Sequence, residues 1–517
     1  MDMKPICLSI RQENGIDYSP VIPYDPDENF PELEAIKISN KKNYVYRSIR
    51  QCFIDLEMDK KNIGTSEWSP LSEIISPGYT VVIKPNLVLH SSKDEMQEYL
   101  TTHPSVLRPI VDYCWKAMKG SGLVVVGDAC SSEADFDLLV ERLGLKQMID
   151  VLKQRGVNVE LRDFRSVKVM TENGIWVGEQ EVAFEQPQSQ VINLGKNSLF
   201  AIDKYKHVDI HGAGYDIKST MRHHTGDIQE YRVSKTVLSA NVVISVPKLK
   251  THRKAGLTCC LKNLVGINVD KNYLPHFTMG SKNMGGDEMP VIDHKNIKRV
   301  KFYNLIRKYI IGYSWKLIGK PGVRMLRLLK DRETKFTEIN MNAKKQVTDS
   351  LKKSSENTDL ARWLHNKLSG QSVAAGAWSG NETICRMILD LNRIFLCCDR
   401  EGHLRSKTDR NIFYIVDGIS MGMGNGPTSP IPVKAGLVAA GWNGYMIDTK
   451  IVGLFGVDPD SITLYKMAKG CPWLFSNAEG KCLINGKSIA ESSRLPIELI
   501  PPDGWSFRKK STLPEES

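Results

Sequence analysis

Residues Val242 to Gly280 read VVISVPKLKTHRKAGLTCCLKNLVGINVDKNYLPHFTMG. The opening run, Val242 to Val246, is largely β-branched and apolar, and Pro247 closes it, which predicts a buried strand ending at a turn. Lys248, Lys250, His252 and Lys254 follow at once. Gly256 to Ile267 reads as a mostly apolar helix carrying Lys262 beside Asn263, and Lys271 and His276 then fall in a polar turn. In an open α/β sheet, ligands bind beyond the carboxyl ends of strands, where loops pass into helices. This stretch has that layout.

Outward from it, strands are predicted at Tyr79–Ile83, Leu123–Val126, Val157–Leu161 and Ile412–Val416. Helices are predicted at Pro104–Lys119, Phe136–Arg155, Asn381–Arg393 and Asn443–Gly456. The alternation argues for an α/β protein with a mostly parallel sheet and helices on both faces. The expected organisation is an N-terminal accessory segment (1–78), an α/β core lobe (79–294), a basic helical insertion and polar linker (295–357), a second part of the core (358–469) and a C-terminal tail (470–517) whose pattern assigns no element. Two lobes with a ligand cleft between them follow from that division.

At 517 residues and 41% hydrophobic, the chain can bury a large core. Its start, MDMKPICLSIRQ, lacks an apolar signal region, and no run of about 18 uncharged apolar residues occurs. Eleven cysteines without regular spacing fit reduced thiols. A cytoplasmic location is therefore expected. The net charge of +11 is concentrated: residues 295–335 hold 13 Lys or Arg against Asp331 and Glu333. Charge confined to one segment does not favour a nucleic-acid binder. From Phe302 to Asp331 aromatic and aliphatic residues mix with cations, as in a helix lying on an anionic membrane surface. A solvated helix packed on its own domain, or a helix docking RNA or a protein partner, reads the same way.

Several segments carry a resemblance: IKPNLV (Ile83–Val88), THP (Thr102–Pro104), VVGD (Val125–Asp128), GNETICRMILDLNR (Gly380–Arg393), VDGISMGMGNGP (Val416–Pro427) and the apolar run ending in Asp448. With the central stretch, they resemble a prokaryotic family known as domain of unknown function 362. The resemblance spans Tyr79 to Gly456 and implies no settled activity. Many relatives carry a ferredoxin-like module, but this chain has no CxxC, so no iron–sulfur cluster is expected. Relatives without that module are frequent in bacterial surface-polysaccharide gene sets, which implies sugar substrates. His252, Lys262 and His276 are also similar to the active-site set of nickel-pincer lactate racemases. That likeness implies a cofactor-tethering Lys262, a proton-transferring His252 and a metal-ligating His276, although the flanking racemase residues are absent.

The residue types support related chemistry. Imidazoles ligate nickel, zinc or iron and titrate near neutrality, which suits proton abstraction beside a carbonyl. Lys84, Lys248, Lys250 and Arg386, with the glycine turns at Gly424–Gly426 and Gly436, suit phosphate or carboxylate recognition. GMGNGP lacks the GK[ST] ending of a P-loop. Asp128, Asp390, Asp417 and Asp448 adjoin apolar runs, where a carboxylate needs a partner. Structural capping and metal or hydroxyl binding are both open to them.

The expected site has His252, Lys262 and His276 as catalytic residues. Lys84, Asn86, His103, Lys248, Lys250, Asn263, Asp417 and Asp448 would bind substrate, and His252 and His276 would hold a divalent metal (Ni, Zn, Fe or Mn). His207, His211 and the His223-His224 pair match no zinc spacing, and Cys259-Cys260 and Cys397-Cys398 read as buried small residues. The expected function is a cytosolic, metal-assisted isomerase, epimerase or transferase acting on a sugar acid, hydroxy acid or nucleotide sugar. The alternative is a non-catalytic scaffold docking at a membrane complex through the basic segment.

Overall fold

The computed structural model describes the chain apart from residues 1–4, 34–35, 92–93, 133, 173–174, 183–187, 207, 213–216, 306–374, 407–409, 428, 477–478, 491 and 511–517. Its largest sheet has nine strands: β1 (Ile6–Gln12), β2 (Thr80–Pro85), β3 (Leu123–Asp128), β4 (Val159–Asp163), β5 (Val242–Val246), β6 (Asn411–Asn425), β7 (Ser429–Gly441), β8 (Lys481–Ile484) and β9 (Lys487–Ser488). Their spatial order is β9-β8-β1-β7-β6-β5-β2-β3-β4. Strands β4, β3, β2, β5 and β6 are parallel. Strand β7 is antiparallel to both β6 and β1, and β8 runs parallel to β1. The sheet is mostly parallel, as the strand–helix alternation requires.

A strand covered on both faces reads as a continuous apolar run, and β5 does. Val242, Ile244 and Val246 join the core on one face, while Val243 joins the core on the other. The same alternation separates Val81 and Ile83 from Val82, and Val124 and Val126 from Val125. Helices α1 (Tyr44–Asp55) and α2 (Pro104–Ala117) cover the first face. Helices α3 (Cys260–Asn263), α4 (Thr383–Cys397) and α5 (Gly444–Leu454) cover the second.

From β2 the chain steps outward to β3 and β4, then returns to place β5 on the other side of β2. Strand order reverses between β2 and β5. That makes their carboxyl ends, Pro85 and Val246, the topological switch point where open α/β sheets hold ligands.

Three expectations change. The N-terminal segment is no accessory, because β1 pairs with β7 and β8 inside the sheet. The tail supplies β8 and β9, so one sheet joins segments expected to lie in separate lobes. Gly256–Ile267 is not a single helix. Gly256–Thr258 pairs antiparallel with Lys250–His252, followed by α3 and a 3-10 turn at Leu264–Ile267. Gly256 sits at φ 79°, where a side chain would be strained, and an added Cβ would lie 2.8 Å from the Trp505 ring. Of the basic segment, the structure describes a helix over His294–Leu305. The rest of the basic segment and the polar linker lie outside the described residues. Among the described residues no helix is long and apolar enough to cross a membrane.

Candidate functional site

Two buried ion pairs frame the switch point. Lys84, near the end of β2, places Nζ 2.6 Å from Oδ1 of Asp128, at the end of β3. It also donates to Asn263 Oδ1 at 3.2 Å and Pro85 O at 3.0 Å. The other Asp128 oxygen accepts from the Leu87 N–H at 2.8 Å. Asn263, delivered by α3, donates to Lys84 O at 3.1 Å and Ser245 Oγ at 2.9 Å, so one amide ties β2 to β5. An ammonium has only donors, so Asn263 must turn Oδ1 toward Lys84. Asn86 then meets that same oxygen through Nδ2, at 3.3 Å. Its own Oδ1 is left as a buried acceptor without a partner among the described residues.

Gly266 backs this pair so closely that an added Cβ would fall 1.9 Å from Asp128 Oδ1 and 2.6 Å from Lys84 Nζ. Gly266→Ala is therefore expected to destabilise the protein by about 1–3 kcal/mol through overpacking. Urea unfolding measures it, and unchanged stability would mean that the pair does not lie against this glycine.

The second pair continues the β5–β6 register past Pro247: the Leu249 N–H donates to Asp417 O at 2.9 Å. Lys248 Nζ lies 3.0 Å from Asp417 Oδ2 and 2.5 Å from Tyr18 Oη. Tyr18 donates to Asp417 Oδ1 at 2.6 Å, and the His103 N–H donates to Oδ2 at 2.9 Å. The His103 ring stacks on Tyr18 at 4.0 Å, and its Nδ1 accepts from the Ser105 N–H to cap α2. Burial first, then the Lys248 charge, lowers the His103 pKa to about 3, so the ring is neutral.

These contacts revise the expected substrate-binding set. Lys84, Lys248 and Asp417 have their polar groups engaged in the frame, and His103 has its backbone N–H and Nδ1 engaged there. Asp448 faces α3: its oxygens accept from the Cys260 and Leu261 N–H groups at 2.7 and 3.1 Å. It caps a helix instead of opposing the lysines across a cleft.

Lys250, Lys262 and Lys271 are different. Lys250 donates to the Leu100 carbonyl. Lys271 donates to the carbonyls of Ala129 at 2.8 Å and Asn268 at 3.1 Å. Lys262 makes no hydrogen bond among the described residues, and none of the three has a carboxylate within ion-pair distance there. Burial, more than any neighbour, lowers the pKa of Lys262 and Lys271 to about 8 and holds Lys250 well below its usual value. Lys262 is surrounded by protein yet keeps part of its surface open.

His252 and His276 both lie near enough to feel the Lys262 charge, and both are partly open. Burial first keeps both neutral. The Lys262, Lys250 and Lys254 charges add to it at His252, and those of Lys254, Lys262 and Lys271 at His276. Their tautomers oppose each other. His252 Nδ1 accepts from the N–H groups of Lys254 and Ala255, each at 3.2 Å, so its proton is on Nε2. His276 Nδ1 faces the Leu274 carbonyl at 2.9 Å and must carry the proton, which leaves the lone pair on Nε2.

This arrangement does not fit the divalent metal expected at His252 and His276. Ligation through His252 Nε2 would move its proton onto Nδ1, against two N–H donors. A dication would also enter beside Lys250, Lys262 and Lys271, whose charges Asp128 offsets only from beyond ion-pair distance. Among the described residues one group of three potential metal ligands converges, Cys259, Cys260 and Asp448. Both Asp448 oxygens there already accept backbone hydrogen bonds. His224 bridges Gln229 Oε1 and Tyr273 O, and His223 pairs with Glu230. His207 lies outside the described residues.

Two contributors escaped the sequence reading. Tyr18 comes from a Pro- and Asp-rich loop without periodicity. Trp505, in the unassigned tail, packs on the Gly256 turn and donates to Arg253 O at 2.7 Å, buttressing the His252 hairpin.

Residues 81–183 and 165–452 match the family described as domain of unknown function (DUF362). The chain belongs to that family. No curated protein matches it. A crystal structure of a Thermotoga maritima protein, solved as a structural-genomics target, is 9% identical with a TM-score of 0.22. That match covers 44% of this chain and 38% of the other. Lys250, His252, Lys262, Lys271 and His276 lie within the DUF362 match, whereas Tyr18 and Trp505 lie outside it.

Proposed function

We propose that this DUF362 protein is an enzyme that binds a small organic anion, a sugar acid or hydroxy acid, at the switch point and moves a proton on it. The observation that carries the reading is the trio Lys250, Lys262 and Lys271, none in a salt bridge among the described residues, whose charges act on two neutral histidines of opposite tautomer. Uncompensated buried cations are costly, and a bound carboxylate or phosphate relieves that cost. Lys262, partly open, clamps the anion, while Lys250 and Lys271 strengthen the field from behind. The His252 Nε2–H donates to a carbonyl oxygen as negative charge develops on it. The His276 Nε2 lone pair accepts the adjacent carbon-bound proton and returns it, an isomerisation or epimerisation without net redox change. Sugar acids come first because of the resemblance to polysaccharide-associated relatives.

The test is proton–deuterium exchange on glucuronate, galacturonate and tartrate followed by NMR, with affinities from calorimetry. His276→Gln is expected to bind within about threefold of the parent while exchange falls about 100-fold or more. Binding of no member of this panel at low salt would sink the reading. A competing role in docking to anionic membranes is favoured by one observation: the His294–Leu305 helix exposes Phe302 and Leu305 beside Lys298 and Lys301. Co-sedimentation with phosphatidylserine vesicles tests that role separately.

A further inference from the structure

The eleven cysteines are all free thiols, and Cys482 alone among them is not fully buried. It sits on β8 beside β1, where Cα partners run Ile6 to Lys481 and Leu8 to Cys482. The register shifts between Ile6 and Leu8, and this brings Cys7 Sγ to 3.9 Å from Cys482 Sγ. A disulfide holds its sulfurs about 2.0 Å apart, so closing this contact calls for a shift of about 2 Å between two sulfurs that already touch. The contact with Cys7, in which either sulfur can donate, and the Lys450 charge lower the Cys482 pKa to about 7, whereas burial raises those of the adjacent pairs Cys259-Cys260 and Cys397-Cys398. Thiolate character and access together select the thiol that oxidises first.

We propose that Cys7 and Cys482 form a hydroperoxide-oxidised dithiol, with Cys482 as the attacking sulfur and Cys7 as the resolving one. The Cys482 thiolate attacks the peroxide; an S–O bond forms, the O–O bond breaks and hydroxide leaves, giving a sulfenic acid. Cys7 Sγ then attacks that sulfur; the S–S bond forms, the S–O bond breaks, and the departing hydroxide takes the Cys7 proton as water. Two electrons pass from the thiols to the peroxide. The bridge would pin the tail strand β8 to β1. Cys7 also walls a cavity of about 420 Å³ lined by Tyr414, Trp442, Tyr445 and Trp473, so oxidation would fix one side of it. This cavity opens at the start of β6, at the other end of the parallel strands from Lys250, although Leu261, beside Lys262, also lines it.

Reduced full-length protein treated with near-equimolar hydrogen peroxide is expected to lose two of its eleven thiols, titrated after unfolding. A non-reduced digest should contain a peptide joining Cys7 to Cys482. Cys7→Ser should stop at a Cys482 sulfenic acid that dimedone traps, and Cys482→Ser should lose no thiol at the same dose. Unmodified Cys7 and Cys482 in the oxidised protein, or Cys482 joined to another chain instead of Cys7, would overturn the assignment. None of these readouts depends on a ligand or on turnover.

Discussion

Replacing Asp417 with alanine is expected to destabilise this DUF362 protein by about 3–5 kcal/mol, the usual cost of leaving one member of a buried ion pair uncompensated. Asp417 and Lys248 both have fully buried side chains, and the carboxylate accepts from the Tyr18 hydroxyl and the His103 N–H as well. The alanine variant strands all three donors. Urea unfolding with an unchanged slope, and a midpoint lowered in proportion, would show lost stability rather than a change in the denatured state. The combined Lys248→Met, Asp417→Leu variant should recover most of the loss, because paired apolar replacements remove the charge with its partner. Tyr18 and His103 remain unsatisfied in it, so recovery should stop short of the parent. An alanine variant as stable as the parent would mean that Lys248 reaches water.

The fold was legible where burial on both faces leaves a local mark. VVISV in β5 and VVIK in β2 could hardly be other than central strands, and the helices between them follow the 3.6-residue period. The site was legible as a set of residue types on one stretch, but not as roles. Lys84, Lys248 and Lys250 look alike in sequence. What separates them is Asp128, 44 residues from Lys84, and Asp417, 169 residues from Lys248. No local pattern encodes such partners. The tautomers of His252 and His276 depend on backbone groups two or three residues away, whose direction only the folded hairpin and turn fix. The Gly256 segment was misread because its apolar residues suit a helix, while the deciding contact comes from Trp505 in the tail. Propensity gave way to tertiary packing there.

Lys262→Met is expected to raise stability and abolish anion binding in the same protein. Lys262 forms no hydrogen bond among the described residues, and a flexible methionine fills its volume. After allowance for the open part of its surface, removing its charge should stabilise the unliganded protein by about 1 kcal/mol. The pH dependence fixes the sign. Burial lowers the lysine pKa to about 8 in the fold, against about 10.4 in the unfolded chain. Between those values the unfolded chain binds more protons, so stability rises with pH across that window. The penalty is present in full below about pH 8 and disappears toward about pH 10. Anion binding needs the same proton and shows the opposite trend. The rise in Tm caused by glucuronate or inorganic phosphate should be full near pH 7 and small by about pH 9.5. In Lys262→Met the rise should be absent at both. Lys271, with a pKa also lowered to about 8, acts from behind and should weaken the rise without removing it when changed to glutamine. A parent protein whose anion-induced rise is the same at both pH values would show that the charge comes from elsewhere, and these lysines would then be structural. A rise confined to the lower pH and lost with Lys262 has a simpler cause: an ammonium kept in a costly place because a ligand's negative charge completes it.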